Sequence, residues 1–209
     1  MKILIVDDDA LIRKSVSLML TGEPDITVCG TAQDGAQAIE MCHKHQPDIV
    51  LMDIRMPNMD GIAATRVIKK EYPQARVMML TTFDDKPNIQ EALAAGADGY
   101  LLKTDDLSDI ANKLRVFGSG VGILDTEVIK KLAATKNPAL ESLTPREQDI
   151  IRLVAQGLTN KDIAAQLFLS EKTVRNNISV IMEKLEVSNR TQLGVLYYGG
   201  FAAKSLRAF

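Results

Sequence analysis

The sequence predicts an α/β protein in two parts. Residues 1–118 read as a doubly wound (βα)5 unit on a five-stranded parallel sheet, and residues 140–203 as a small all-α unit of four helices. Two observations carry this reading. Short apolar runs alternate five times with amphipathic helical stretches, the pattern of strands covered on both faces by crossover helices. Beyond residue 140 the strand-like runs stop, and only helical periods with capping residues remain.

The strands are expected at Ile3–Val6, Thr27–Gly30, Ile49–Met52, Val77–Leu80 and Gly99–Leu102, with helices at about 10–20, 35–44, 60–70, 86–95 and 106–117. Ser119-Gly120-Val121-Gly122 breaks the alternation. Asp125 to Ala134 then reads as one short helix within a linker at 119–139, and Lys136-Asn137-Pro138 breaks the chain again.

In the second part, Thr144-Pro145-Arg146-Glu147 supplies a cap, a proline at the first helical position and a glutamate three residues after the cap. This helix should reach Ala155 and stop at Gly157. Thr159-Asn160-Lys161-Asp162 opens a second helix in the same way. Ser170 caps a third, to about Leu185, and Asn189 a fourth, from Arg190 to Tyr198 before Gly199-Gly200.

Charge is unevenly spread along the chain. Residues 1–118 carry net −5, residues 119–136 net +1 and residues 137–209 net +2. An acidic front and a mildly basic back suit a nucleic-acid partner for the second part. Cys29 and Cys42 lie among apolar neighbours and read as reduced, buried thiols. The first apolar run is too short for a signal peptide, and no stretch approaches the roughly 20 residues that span a bilayer. A cytoplasmic protein without membrane association is expected.

Parallel sheets of this kind bind ligands beyond the carboxyl ends of their strands. Asp7 and Asp8 follow the first apolar run, Asp53 the third, Thr81 the fourth and Lys103 the fifth, so all five fall on that edge. One acid at a strand end is an ordinary solvated loop residue; five converging positions of these types form a site. Carboxylates gathered there repel one another unless a hard divalent cation such as Mg²⁺ neutralises them. A carboxylate held beside such a cation is a nucleophile toward a phosphoryl donor, with a lysine ammonium adding a second point of charge stabilisation.

The pair Asp7-Asp8, the stretch Asp53-Ile54-Arg55-Met56-Pro57-Asn58-Met59-Asp60-Gly61, and Thr81 and Lys103 together resemble the receiver domain of two-component response regulators, across essentially all of residues 1–118. The resemblance implies that Asp53 accepts the phosphoryl group. Asp7, Asp8 and the Arg55 carbonyl would hold Mg²⁺ with Asp53. Lys103 would contact the phosphoryl group, Thr81 would move toward it, and the Tyr100 rotamer would follow. Two features are particular to this chain. Thr104 stands after Lys103 where many receivers have proline, and Phe83, two residues beyond Thr81, is expected to slow loss of the phosphoryl group.

Between Thr159 and Ile178 the pattern is helix, tight turn, helix, with Leu167-Phe168-Leu169 at the turn. Val174, Ile178, Ile181 and Leu185 make one apolar face; Lys172, Asn176, Ser179 and Glu183 lie opposite, flanked by Arg175 and Asn177. Such a helix can enter the major groove, where arginine pairs with guanine and asparagine with adenine. The segments Leu143-Thr144-Pro145-Arg146-Glu147, Gly157 to Ala164 and Leu169 to Arg175 resemble the LuxR-type helix-turn-helix. Both parts taken together, the chain is identified as a member of the NarL/FixJ class of response regulators.

That class implies a phosphorylation-dependent transcription regulator that is not an enzyme beyond its own phosphoryl transfer and dephosphorylation. A sensor histidine kinase would donate to Asp53, and the phosphorylated form would dimerise and bind double-stranded promoter DNA at inverted half-sites, with RNA polymerase as a further partner. Arg175, Asn176 and Ser179 would face the DNA, with Lys161 and Lys172 nearer phosphates. Leu193, Leu196 and Tyr197 on the fourth helix would pair two copies. Members often carry His at the place of Asn177 and a basic residue at that of Ser179, so base preference does not transfer. A phosphohydrolase would need a second acid two residues after Asp53, where Arg55 stands. A ligand-sensing regulator would need an apolar pocket and no acid set.

Overall fold

A computed structural model describes residues 1–81, 86–103, 109–119 and 138–198. The chain divides into two compact units, Met1–Ser119 and Gly120–Phe209.

In the first unit five parallel strands, β1 (Lys2–Val6), β2 (Thr27–Ala32), β3 (Ile49–Asp53), β4 (Arg76–Thr81) and β5 (Gly99–Leu102), form one sheet in the order β2-β1-β3-β4-β5. The order reverses at β1, so the crevice beyond the carboxyl ends of β1 and β3 is the switch point where such sheets bind ligands. Residues 3–6 of β1 and 49–53 of β3 are buried, as central strands covered on both faces must be. Pairing extends strands beyond their apolar runs. β2 continues to Ala32, held opposite Val6, and β4 begins at Arg76, opposite Ile49.

The covering helices are α1 (Ala10–Leu20), α2 (Gly35–His45), α3 (Gly61–Glu71), α4 (Lys86–Ala94) and α5 (Ile110–Gly118). Asp9, Asp34 and Asp60 cap the first three, each side chain accepting from backbone N–H groups of the first turn. The expected start of the last helix at 106, the linker helix at 125–134, Phe83, Thr104 and the stop at Gly199-Gly200 lie outside the described residues. Among the described residues, no helix is long and apolar enough to cross a membrane.

The second unit opens with a 3-10 turn, Pro138–Ser142, and continues with α6 (Pro145–Ala155), α7 (Asn160–Leu167), α8 (Glu171–Lys184) and α9 (Arg190–Tyr197). Thr144 with Glu147, and Thr159 with Asp162, form reciprocal capping boxes. Phe168 ends α7 in the left-handed conformation at φ 54°. Ile150, Ile163, Val174, Ile181 and Leu185 form the core of the unit. Leu193 and Leu196 belong to that same core, each 0% exposed. Within the single chain, α9 thus packs these two leucines into its own bundle. Of the three residues expected at a dimer face, only Tyr197 keeps partial exposure.

Candidate functional site

β1 and β3 end side by side at the switch point and deliver Asp7 and Asp53 there, while Lys103 follows β5, beyond β4 on the same edge of the sheet, and reaches back to them. Asp7 and Asp53 are 0% and 5% exposed. The Lys103 Nζ lies 2.7 Å from Asp7 Oδ2 and 2.8 Å from Asp53 Oδ1, so one ammonium bridges both carboxylates. Burial pushes the Asp53 carboxyl above its ordinary pKa; Lys103 opposes that rise, and the neighbouring Asp7 adds to it. Burial also works against the Lys103 charge, but hydrogen bonds to Asp53 and Asp7 prevail and hold its pKa above the ordinary value.

Asp8 is exposed beside this pair, and oxygens of Asp7, Asp8 and Asp53 lie within 4.8 Å of one another. Three carboxylates converging on one point, two of them buried, are the hard oxygen donor set that suits Mg²⁺. The residues present therefore match the cation that the acid cluster implies. The backbone braces them. Asp9 N–H donates to Asp7 Oδ1 at 2.9 Å, and the Arg13 guanidinium donates to the Asp7 carbonyl at 2.5 Å.

The loop after Asp53 is closed by Gly61 N–H donating to the Ile54 carbonyl at 2.9 Å. Thr65 Oγ1 donates to the Gly61 carbonyl at 2.6 Å. Arg55 is exposed in this loop. Thr81 ends β4 opposite Leu102, one residue before Lys103; its side chain lies outside what is described. Tyr100 is 0% exposed, its ring already within the core.

The structure also brings in residues that sequence reasoning passed over. Asp34, at the start of α2, is 5% exposed, and its Oδ2 accepts from Asn58 Nδ2 at 3.1 Å in the loop after Asp53. The only sequence trace is Asp34-Gly35 after a strand, echoing Asp60-Gly61.

In the second unit, Lys172, Arg175, Asn176 and Ser179 on α8 and Lys161 on α7 are all exposed. Val174, Ile178 and Ile181 are buried on the other side of α8. Asn177 is half-buried, its amide donating back to the Thr173 carbonyl at 2.8 Å.

A carboxylate–lysine cluster at the switch point of a parallel sheet, joined to a helix-turn-helix with an exposed polar face, defines a signal-controlled DNA-binding regulator. Residues 3–115 match the response regulator receiver domain, and residues 141–197 match the bacterial regulatory proteins of the luxR family. The chain is 40% identical over 199 residues to the response regulator protein VraR of Staphylococcus aureus, covering 94% of this chain and 95% of VraR. Solved structures similar to it include the response regulator ChrA of a heme-sensing two-component system, at 34% identity and TM-score 0.54 over 92% of this chain and 93% of ChrA. The Salmonella typhimurium response regulator RcsB matches at 25% identity and TM-score 0.60 over 95% of this chain and 98% of RcsB. The chain belongs to the LuxR-family response regulators: it is a two-component, DNA-binding transcription regulator, and its class implies a kinase and DNA as partners.

Proposed function

We propose that Asp53 receives a phosphoryl group from the phosphohistidine of a sensor kinase. A carboxylate oxygen of Asp53 attacks phosphorus, the O–P bond forms, and the P–N bond to the kinase imidazole breaks with its electron pair returning to nitrogen. The observation that carries this is the Lys103 ammonium set between Asp7 and Asp53. That ammonium is placed to follow the charge from the Asp53 carboxylate onto the incoming phosphoryl oxygens. Asp7, Asp8, Asp53 and the Arg55 carbonyl would hold Mg²⁺, which when bound offsets the charge of the acids and of the transferring group. Thr81 would supply a hydroxyl to the new phosphoryl oxygens, and the buried Tyr100 ring would repack behind it. Hydrolysis of the acyl phosphate by the same residues resets the switch.

Phosphorylation then redistributes the first unit between two packings, favours pairing of two copies and raises affinity for inverted half-sites in promoter DNA. Lys161 and Lys172 would hold phosphates, while Arg175, Asn176 and Ser179 would read base edges; their common exposure on α7 and α8 supports this. RNA polymerase is the next partner such a complex would meet. With its aqueous phosphoryl chemistry, the protein would work in the cytoplasm.

Intact mass after incubation with acetyl phosphate and Mg²⁺ tests the acceptor. One phosphoryl group on the wild type and none on Asp53→Asn is the expected result. An equal gain on Asp53→Asn would move the acceptor elsewhere.

A further inference from the structure

We infer that Asp34 is a positioning residue for the phosphoacceptor site, acting through Asn58 on the loop that follows Asp53; this rests on the reading of Asp53 as acceptor. The Asp34 side chain serves two elements at once. Its Oδ1 accepts from Gln37 N–H at 2.9 Å and caps α2, while its Oδ2 accepts from Asn58 Nδ2 at 3.1 Å. An ionised carboxylate only accepts, so the nitrogen side of the Asn58 amide must face it. Gln37 N–H, foremost, and Asn58 hold the Asp34 carboxyl below its ordinary pKa range, so it is ionised where the protein works.

Beside this pair the two backbones touch. Gly35 N–H donates to the Met59 carbonyl at 2.9 Å, and a Cβ on Gly35 would lie 2.7 Å from Met59 Cγ and 2.8 Å from Ala64 Cβ. Asn58 itself stands at φ 64°, a left-handed conformation that asparagine tolerates better than most residues. Residues 54–60 are thus closed at the base by Gly61 N–H on the Ile54 carbonyl and pinned at the tip by Asp34 and Gly35. Arg55 lies between base and tip. Its carbonyl can serve a cation only if the loop holds one shape, and the Asp34–Asn58 link is the side-chain bond that holds the tip. Partners that orient a ligating group from outside typically govern metal affinity by about 10- to 100-fold.

The full-length chain tests this with three variants. N58A deletes the link and leaves the α2 cap and the net charge intact. N58D sets two carboxylates against each other. The double swap D34N/N58D restores one donor facing one acceptor, with the α2 cap and net charge of the wild type. Mg²⁺ affinity is read by titration calorimetry, and amide hydrogen exchange at residues 55–60 is read in metal-free protein. N58A and N58D are expected to weaken Mg²⁺ binding about tenfold and to speed exchange in the loop, while circular dichroism stays that of the wild type. D34N/N58D should recover most of both. Wild-type affinity and exchange in N58A, or failure of the double swap to improve on N58D, would overturn the inference. Failure of the acceptor reading shows separately, as a wild type that binds Mg²⁺ but gains no phosphoryl mass on Asp53.

Discussion

Gly61 has no room for a side chain because the Asp53 carbonyl lies against it. A Cβ there would collide with that oxygen and come within 2.9 Å of Met52 Cγ and 3.0 Å of the Asp53 carbonyl carbon. Gly61 is therefore required by close approach of backbone to backbone. Gly61→Ala is expected to destabilise the first unit by about 1–3 kcal/mol. With Asp53 as the proposed acceptor, it should also slow phosphorylation there, because the Asp53 peptide must shift. Thermal unfolding and the rate of mass gain with acetyl phosphate check the two effects.

Phe168 combines two costs with no visible return among the described residues of its unit. It is 96% exposed and stands at φ 54°, where a bulky side chain is strained. Glycine adopts this position freely at helix ends. Phe168→Gly should stabilise the second unit by about 1 kcal/mol, since strain is relieved and no burial is lost. A lower urea midpoint for the variant would show instead that the ring supports the fold.

Glu147 gives the second unit a pH-dependent brace. Its carboxylate accepts from Lys184 Nζ at 2.7 and 2.9 Å and from Thr144 N–H at 2.9 Å. Lys184 first, and then the Thr144 N–H, hold its pKa below the ordinary value of a glutamate, against the opposing effect of burial. A lowered folded pKa contributes stability above the unfolded value of about 4.3, and that stability is lost as pH falls through the folded value. Lys184 is 42% exposed, so the ion pair is partly screened and the whole brace contributes on the order of 1–2 kcal/mol. Glu147→Gln should be less stable at neutral pH and lose less between about pH 5 and 3. Parallel stability profiles for the two proteins in that window would show that no such brace operates.

On DNA, Lys172→Ala and Arg175→Ala should differ in kind. In the proposed reading Lys172 holds a phosphate, so its removal should weaken binding evenly across sequences and lower the salt slope by about 1. In the same reading Arg175 meets a base edge, so its removal should cost about 1–3 kcal/mol on the preferred site and relax preference at one position. Binding isotherms at several salt concentrations on two duplex sequences separate the outcomes; uniform weakening by Arg175→Ala would assign that residue to the backbone.

Much of this protein was legible along the chain, because strands, caps and turns are local. The run into Asp7 and the run into Asp53 announce parallel strands ending in acids, and Thr144 with Glu147 announces a helix start within four residues. The helical period of α8 alone separates Val174, Ile178 and Ile181 from the exposed Lys172, Arg175 and Asn176. Local signals go no further than the element that carries them. That Lys103 bridges Asp7 and Asp53 depends on β5 and β1 reaching the same edge of one sheet. Asp34 meets Asn58 across 24 residues and Glu147 meets Lys184 across 37, distances that no periodicity spans.

The apolar residues of α9 mark the same boundary. Composition states that Leu193 and Leu196 must be covered, since leaving apolar surface in water is unfavourable. Only packing decides by what, and here the cover is the bundle itself. The sequence by itself determined which elements form, where the charged groups leave them and which faces need burial. The tertiary structure decided which distant groups meet, because that follows from strand order and helix docking, and those are settled by the whole core at once.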